Sequence, residues 1–411
     1  MDNLIQLEIQ SLVYEGSGFA RLPDGRAAFI PFVMPGEQVT ARLREEKKGF
    51  VLADMVSVDK PHPQRMAPRC PHFGDCGGCH YQHIPYELQL EIKKKIFVEQ
   101  LQRLAGIEDP HLEKIIASTE QWNYRNSVQF QVSGEGQLCY ANARENALFP
   151  VRECHLPMTA IQNLWPQLQF EPGSFTGRLE LRQNADGEIL LVFEGGESRV
   201  PALESEAGIS IVSLSGADTV VMEGEDHLVM QASGKPLLVS AGSFFQTNFY
   251  AAEALLAEVC KLVRDCGAQC LLDVYCGVGL FSAFLAGEME ELAGIEASPN
   301  ACRDFAVNLD EFDNASLYEG TAERILPLLD FKADTVILDP PRAGLRPEAR
   351  RALEKLHPQN MIYVSCNPAT LARDARHFVE QGYHLQRSIL VDMFPQTYHI
   401  ESVLLMSRAE K

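Results

Sequence analysis

The sequence predicts an α/β protein whose C-terminal part is a doubly wound parallel sheet, preceded by a small β-barrel and a central, mainly β region. From about residue 240, short apolar strand-like runs alternate with helical segments, the pattern of a parallel sheet with crossover helices. Before that point, β-branched runs are separated by glycine and proline turns. The third observation is the stretch 360–370. It opens with an apolar run too short for a helix, ends at Asn367-Pro368, and leads into helix-forming residues. Cys366 therefore stands where a strand stops and a helix begins, the edge at which open α/β sheets bind ligands. The positive end of that helix is expected to favour its thiolate.

In chain order, residues 1–58 read as about five short strands with turns at Gly16-Ser17-Gly18, Pro23-Asp24-Gly25 and Pro35-Gly36. That suggests an OB-like barrel, a common single-strand nucleic-acid module. The central domain, 59–240, begins with a C-x5-C-x2-C cluster, Cys70, Cys76 and Cys79, with Gly77-Gly78 permitting a tight wrap. Cys154 is the candidate fourth ligand. Soft thiolate sets hold zinc or iron–sulfur clusters, and a triplet with one remote partner favours [4Fe–4S] over zinc. A helix is expected over 86–104 and strands over 127–132, 179–182 and 189–193. Trp122-Asn123-Tyr124-Arg125-Asn126 either stacks bases and contacts phosphate or simply starts a strand. The stretch 195–235 is acidic and turn-rich. The third domain, 241–411, offers a helix over 251–263 and strands over 270–275, 292–296, 335–339, 361–365, 388–393 and 400–407, the last two closing the sheet with an antiparallel end.

Bulk properties narrow the class. A chain of 411 residues holds two or three domains. No apolar run approaches the roughly 18 residues of a membrane span, and the first residues lack a secretory pattern, so a cytoplasmic protein with no membrane partner is expected. Eleven cysteines, three tightly grouped, suit a reducing compartment with a metal site. The net charge of −20 is uneven. Residues 1–158 carry 17 Lys+Arg against 20 Asp+Glu, and residues 159–411 carry 19 against 36. The nearly neutral first part has basic spots at Arg42, Arg44, Lys47, Lys48 and Lys93 to Lys95 that offer either an RNA surface or solvated faces.

The candidate chemistry lies in the third domain. Gly277-x-Gly279 follows a strand and opens a helix, but the third position of G-x-G-x-x-G is Ser282, so the pyrophosphate grip is incomplete. Glu296 ends the next strand, 23 residues after Asp273, where a carboxylate accepts from ribose hydroxyls. A ribose carboxylate without a diphosphate grip suits S-adenosylmethionine better than a nicotinamide dinucleotide. Asp339-Pro340-Pro341-Arg342 fixes an acid at the ligand edge with two prolines.

With these residues in view, the chain resembles the RNA uracil-5-methyltransferase family, class I S-adenosylmethionine-dependent enzymes. The matching runs are Phe244-Phe245-Gln246-Thr247-Asn248, Asp273 to Gly279, Asp339 to Gly344, Ser365-Cys366-Asn367-Pro368 and His399 to Val403; the glycine-rich start resembles a TRAM domain. The resemblance implies Cys366 as nucleophile, Glu401 as base, Gln246, Tyr275, Gly277, Glu296 and Asp339 as cofactor and pocket contacts, and a [4Fe–4S] cluster on Cys70, Cys76, Cys79 and Cys154. It implies structured RNA as partner, 23S rRNA ahead of tRNA, and a monomer, with 82–113 packed on the catalytic domain. Leu280 departs from the pattern, where relatives often carry Asn. The mechanism it implies is thiolate addition to uracil C6, methylation of C5, and removal of the C5 proton. Competing readings are a nucleic-acid N-methyltransferase, which needs no thiol, a cytosine-5 enzyme, and a non-catalytic RNA-binding iron–sulfur protein.

Overall fold

Burial alternates along the first strands, and that alternation makes a core from very short elements. The computed structural model describes residues 4–142, 147–195, 209–216 and 218–408. The chain divides into two compact units. The first comprises residues 1–99, 140–153 and 394–399. Its six-stranded sheet has the order Leu4–Glu8, Gln38–Glu46, Phe50–Lys60, Ala27–Ile30, Gly18–Arg21, Ser11–Leu12. Leu7, Ile30, Val39 and Val51 point into its core. The Pro-Gly-Glu turn puts Glu37 fully inside, where it accepts from the Met34 N–H and from Arg65, both at 2.8 Å. A buried carboxylate is tolerated because each oxygen is paired.

The expected helix over 86–104 is an α-helix over Tyr86–Gln100 that ends in one π turn, Leu101–Ala105, closed by Gly106 in the left-handed region. Residues 82–99 belong to the first unit and 100–113 to the second.

The second unit comprises residues 100–139, 154–393 and 400–411. In its first part, Ser127–Val132, Gly177–Gln183 and Ile189–Glu194 pair antiparallel in that order, and Ile209–Ser215 adds in parallel. Val128, Phe130, Leu179 and Leu181 fill one face. The acidic stretch read over 195–235 lies partly outside the described residues. Among the described residues the larger sheet of this unit has eight strands in the order Ala315–Glu319, Glu291–Glu296, Cys270–Val274, Thr335–Leu338, Asn360–Ser365, Glu401–Arg408, Tyr383–Val391, Leu112–Ile116. Its first five strands are parallel, four of them expected and Ala315–Glu319 added at the edge, and Glu401–Arg408 inserts antiparallel to both neighbours. Leu112–Ile116, far off in sequence, extends this sheet in parallel with Tyr383–Val391. Among the described residues no helix is long and apolar enough to cross a membrane.

Two loops at the carboxyl edge are locked by one acid. Asp374, fully buried in the helix Pro368–Glu380, accepts from the Leu345 N–H at 2.8 Å, the Tyr363 hydroxyl at 2.9 Å and Arg350 at 2.9 Å, with Arg373 also bonded. Gly344 allows it: a Cβ there would lie 2.6 Å from Asp374 Oδ2, and its φ is +70°. Replacing Asp374 by Ala leaves Arg350 and the Tyr363 hydroxyl unpaired and is expected to cost about 3–5 kcal/mol. Urea denaturation checks this; an unchanged midpoint would contradict the clamp.

Candidate active site

Each candidate catalytic or cofactor residue except Gln246 sits at the carboxyl end of a parallel strand or opposite one. Cys270–Val274 ends in Tyr275, whose φ of 67° turns the chain sharply; Gly277 and Gly279 continue at positive φ. Tyr275 and Cys276 donate their N–H groups to the Ile295 carbonyl, folding the glycine turn over the next strand. There the Gly277 N–H reaches Glu296 Oε2 at 3.0 Å, and Glu296 Oε1 accepts from Ala297 and Ser298, both at 2.7 Å. The carboxylate is thus held rigidly beside the glycine turn, with acceptor capacity left on each oxygen.

Ser282, the residue that breaks the dinucleotide fingerprint, donates to Asp273 Oδ2 at 2.7 Å. Asp273 is fully buried, and burial raises its carboxyl to about 7, with Glu296 adding and the Ser282 bond opposing. Burial, then the Asp273 charge, likewise raises Asp339 to about 7. Asp339 follows Thr335–Leu338 and donates its N–H to the Val274 carbonyl. Leu280 is buried, so the departing position serves the core here.

Gln246 lies on the loop before the helix Phe249–Asp265. Asn126 pins that loop, donating from Nδ2 to the Gln246 carbonyl and from its backbone to the Thr247 carbonyl, both at 2.9 Å. Asn248 caps the helix through the Ala251 N–H and donates to the Met393 carbonyl at 3.0 Å. Tyr124 is fully buried. The strand-start reading of Trp122 to Asn126 therefore holds for Tyr124 and Asn126.

The decisive geometry is a register. Ser365 pairs with Ser402 across the antiparallel ladder, and Val391 pairs with Glu401 on the other side. Continuing the first ladder by one residue sets Cys366 opposite Glu401, although 35 residues separate them. Asn367 then caps the following helix, accepting from the Ala369 and Thr370 N–H groups, while its Nδ2 donates to the Arg342 carbonyl at 3.2 Å. One side chain thereby ties the Cys366 loop to the Asp339-Pro340-Pro341-Arg342 loop.

The electrostatics correct one expectation. The helix N-terminus was expected to favour the Cys366 thiolate, but its pKa is raised to about 11. Burial is the main cause, followed by the negative fields of Glu401 and Asp339; Arg342 and a backbone hydrogen bond oppose it. Glu401, buried, is raised well above the carboxylate range by burial and Asp339, again against Arg342. Three acidic groups crowd one buried site and resist ionising together. Sequence reasoning missed Asn126, Asp374 and Arg342 as the groups that hold or tune it; the Arg in the Pro-Pro-Arg run was the available signal.

In the first unit Cys70, Cys76 and Cys79 are half-buried and free of disulfides. The Gly78 N–H donates to Cys76 Sγ at 3.3 Å and the Cys70 N–H to Gln82 at 2.9 Å. An amide pointing at sulfur suits a thiolate ligand. Cys154 falls in the second unit. Among the described residues, no group of three or more His, Cys, Asp or Glu that could hold a metal ion is found.

The Cys366 environment predicts its reactivity. Iodoacetamide labelling, read by peptide mass, should be slow at pH 8 and rise with pH. Glu401→Gln should accelerate it and Arg342→Ala slow it, by about tenfold for each unit of pKa moved. Labelling fastest near neutrality would contradict this assignment.

The profile of the tRNA (uracil-5-)-methyltransferase family matches residues 205–409, and that of the TRAM domain matches residues 5–56. An uncharacterized RNA methyltransferase of Aquifex aeolicus is 34% identical over 98% of this chain and 99% of its own. One of Streptomyces coelicolor is 30% identical over 99% and 93%. The fold matches the crystal structure of the Pyrococcus abyssi tRNA (uracil-54, C5)-methyltransferase bound to S-adenosyl-L-homocysteine, with a TM-score of 0.73 at 24% identity, over 97% of this chain and 100% of that one. The chain belongs to the RNA (uracil-5-)-methyltransferase family of S-adenosylmethionine-dependent enzymes and begins with a TRAM domain.

Proposed function

We propose that the protein methylates C5 of a uridine in structured RNA through a covalent adduct between Cys366 and uracil C6. The observation that carries this is the register that faces Cys366 with Glu401 at the carboxyl edge of the sheet. Uracil C5 is a weak nucleophile. Addition of the Cys366 thiolate to C6 pushes the C5–C6 π pair toward C5 and O4, giving an enolate whose C5 then takes the methyl. S-adenosylmethionine, when bound, supplies that methyl as an electrophile on a sulfonium. Glu401 next removes the C5 proton; the released pair re-forms the C5–C6 double bond and expels the thiolate. Glu401 held above the usual carboxylate range by burial is a stronger base than an exposed Glu. Tyr275, Gly277, Glu296 and Gln246 are assigned to the cofactor, Glu296 to its ribose, and Asp339 to the pocket between cofactor and base. The uracil must be unstacked to be reached, which favours RNA loops.

The adduct is directly testable. With 5-fluorouridine RNA and cofactor, denaturing mass spectrometry should show RNA linked to the wild-type protein and none linked to Cys366→Ala. Methylation retained by Cys366→Ala would overturn the mechanism in favour of N-methylation.

For the target we favour 23S rRNA, on the combination of a TRAM domain with the cysteine set. The description of the matched family profile supports a second reading, tRNA. Mapping methyluridines in RNA from a strain lacking the protein decides: loss from 23S rRNA is expected, and loss from tRNA with rRNA unchanged establishes the second reading.

Cys70, Cys76, Cys79 and Cys154 are proposed to bind one [4Fe–4S] cluster, supported by their spacing and by the amide aimed at Cys76. Anaerobically purified protein should be brown and hold about four irons per chain. Colourless protein with stoichiometric zinc would sink this assignment.

A further inference from the structure

A cavity lies in the same unit as Cys366 and Glu401, walled on one side by the face of the central sheet that turns away from its core. Cross-strand rows build that wall: Ser127 opposite Arg182, Glu180 between Gln129 and Val192, and Arg178 opposite Glu194. The loop 241–247 and residues 298–300 form the other side. The cavity holds about 400 Å³, within the rough range of 300–1,000 Å³ typical of ligand sites. Gly242 and Asn300 approach closely here: a Cβ on Gly242 would lie 1.8 Å from Asn300 Nδ2.

The charge of this lining is balanced. Arg182 is bonded to Glu180 at 2.9 Å, and Arg178 pairs with Glu194. Burial works against the Glu180 carboxylate, yet Arg182, Ser127 and Gln129 hold its pKa below the ordinary value, so it stays ionised. A phosphate would meet that negative charge and two arginines already engaged. The open groups are of another kind. Ser243 and Thr247 are lining residues whose buried hydroxyls have no hydrogen-bond partner among the described residues; Ser243 is only 2% exposed. At the rim stands Phe244, an aromatic ring 70% exposed to solvent. Unmet hydroxyls inside and a bare ring at the mouth suit a neutral planar heterocycle that stacks and hydrogen-bonds.

We infer that this cavity receives an unpaired nucleobase of the RNA substrate, distinct from the uracil that is methylated. The inference rests on the RNA-methylating function proposed above. Ser243, Phe244 and Thr247 flank Gln246 on one loop. A base seated here therefore braces the loop that carries a candidate cofactor contact, and it sets how far the target uridine stands from a second unstacked nucleotide.

The test is saturation-transfer difference NMR on the full-length protein saturated with S-adenosylhomocysteine, so that the adenosine site of the cofactor is closed. The probes are cytidine and adenosine at millimolar concentration, with ribose 5-phosphate as the control. Base protons should be saturated and the ribose phosphate should not. Phe244→Ala and Gln129→Leu, both at exposed positions, should each reduce the base signal roughly tenfold. A mixed-sequence single-stranded oligoribonucleotide should suppress it in the wild type, and Cys366→Ala should leave it intact. No base signal, equal saturation of ribose phosphate, no competition by the oligoribonucleotide, or a signal lost with Cys366→Ala but kept in both cavity variants would overturn the inference. A failed methylation mechanism would show separately, as a missing 5-fluorouridine adduct with the nucleoside signal unchanged.

Discussion

The last strand, Glu401–Arg408, runs backwards between two strands of opposite direction, and the candidate chemistry depends on where it starts. In a ladder the side-chain period is two, so a slip of one residue would turn Glu401 to the other face of the sheet and away from Cys366. The register is secured from both sides, by Asn360–Ser365 and Tyr383–Val391, and by the apolar run Val403 to Met406 buried between them. The loops that carry Cys366 and Asp339 are then held together by Asp374 and Asn367. Precise placement comes from the sheet and its buried clamps, while the loops supply the reactive groups.

The second consequence is electrostatic. Burial raises the pKa values of Asp273, Asp339, Glu401 and Cys366, and neighbouring charges add to it: Glu296 at Asp273, Asp273 at Asp339, Asp339 at Glu401, and Glu401 with Asp339 at Cys366. Such a crowd is costly in the free protein and favours any cation brought into it, and a sulfonium is a cation. The excess of 17 negative charges in residues 159–411 is therefore not evidence against an RNA substrate. Part of it lies in the buried site, and the cavity proposed above for an unpaired base is charge-balanced, with its arginines already engaged by carboxylates.

Much of this was legible beforehand because it is local. The strand–turn–helix texture after residue 240, the Gly277-x-Gly279 turn and the Pro-Pro-locked Asp339 are short-range signals, and the structure keeps them. The strand Ala315–Glu319 escaped notice because it is a five-residue edge strand with no buried residue. Leu112–Ile116 joins a sheet whose other strands lie more than 150 residues away, a pairing that no local pattern announces. The facing of Cys366 and Glu401 is likewise a property of register. The direction of the Cys366 shift was misjudged because a helix end was weighed without the burial and the two carboxyl groups that outweigh it. Spacing placed three cysteines in one short loop, but spacing does not show a bound metal.

The central claim is that Cys366 attacks and Glu401 releases, so the two residues must fail differently. The most direct measurement is a denaturing gel of Glu401→Gln incubated with cofactor and natural, unfluorinated substrate RNA. Methyl transfer remains possible in that variant, but C5 keeps its proton and elimination stalls. A slow-migrating RNA–protein band carrying the methyl group is the predicted result. Normal turnover with no such band would contradict the account and remove Glu401 from the mechanism.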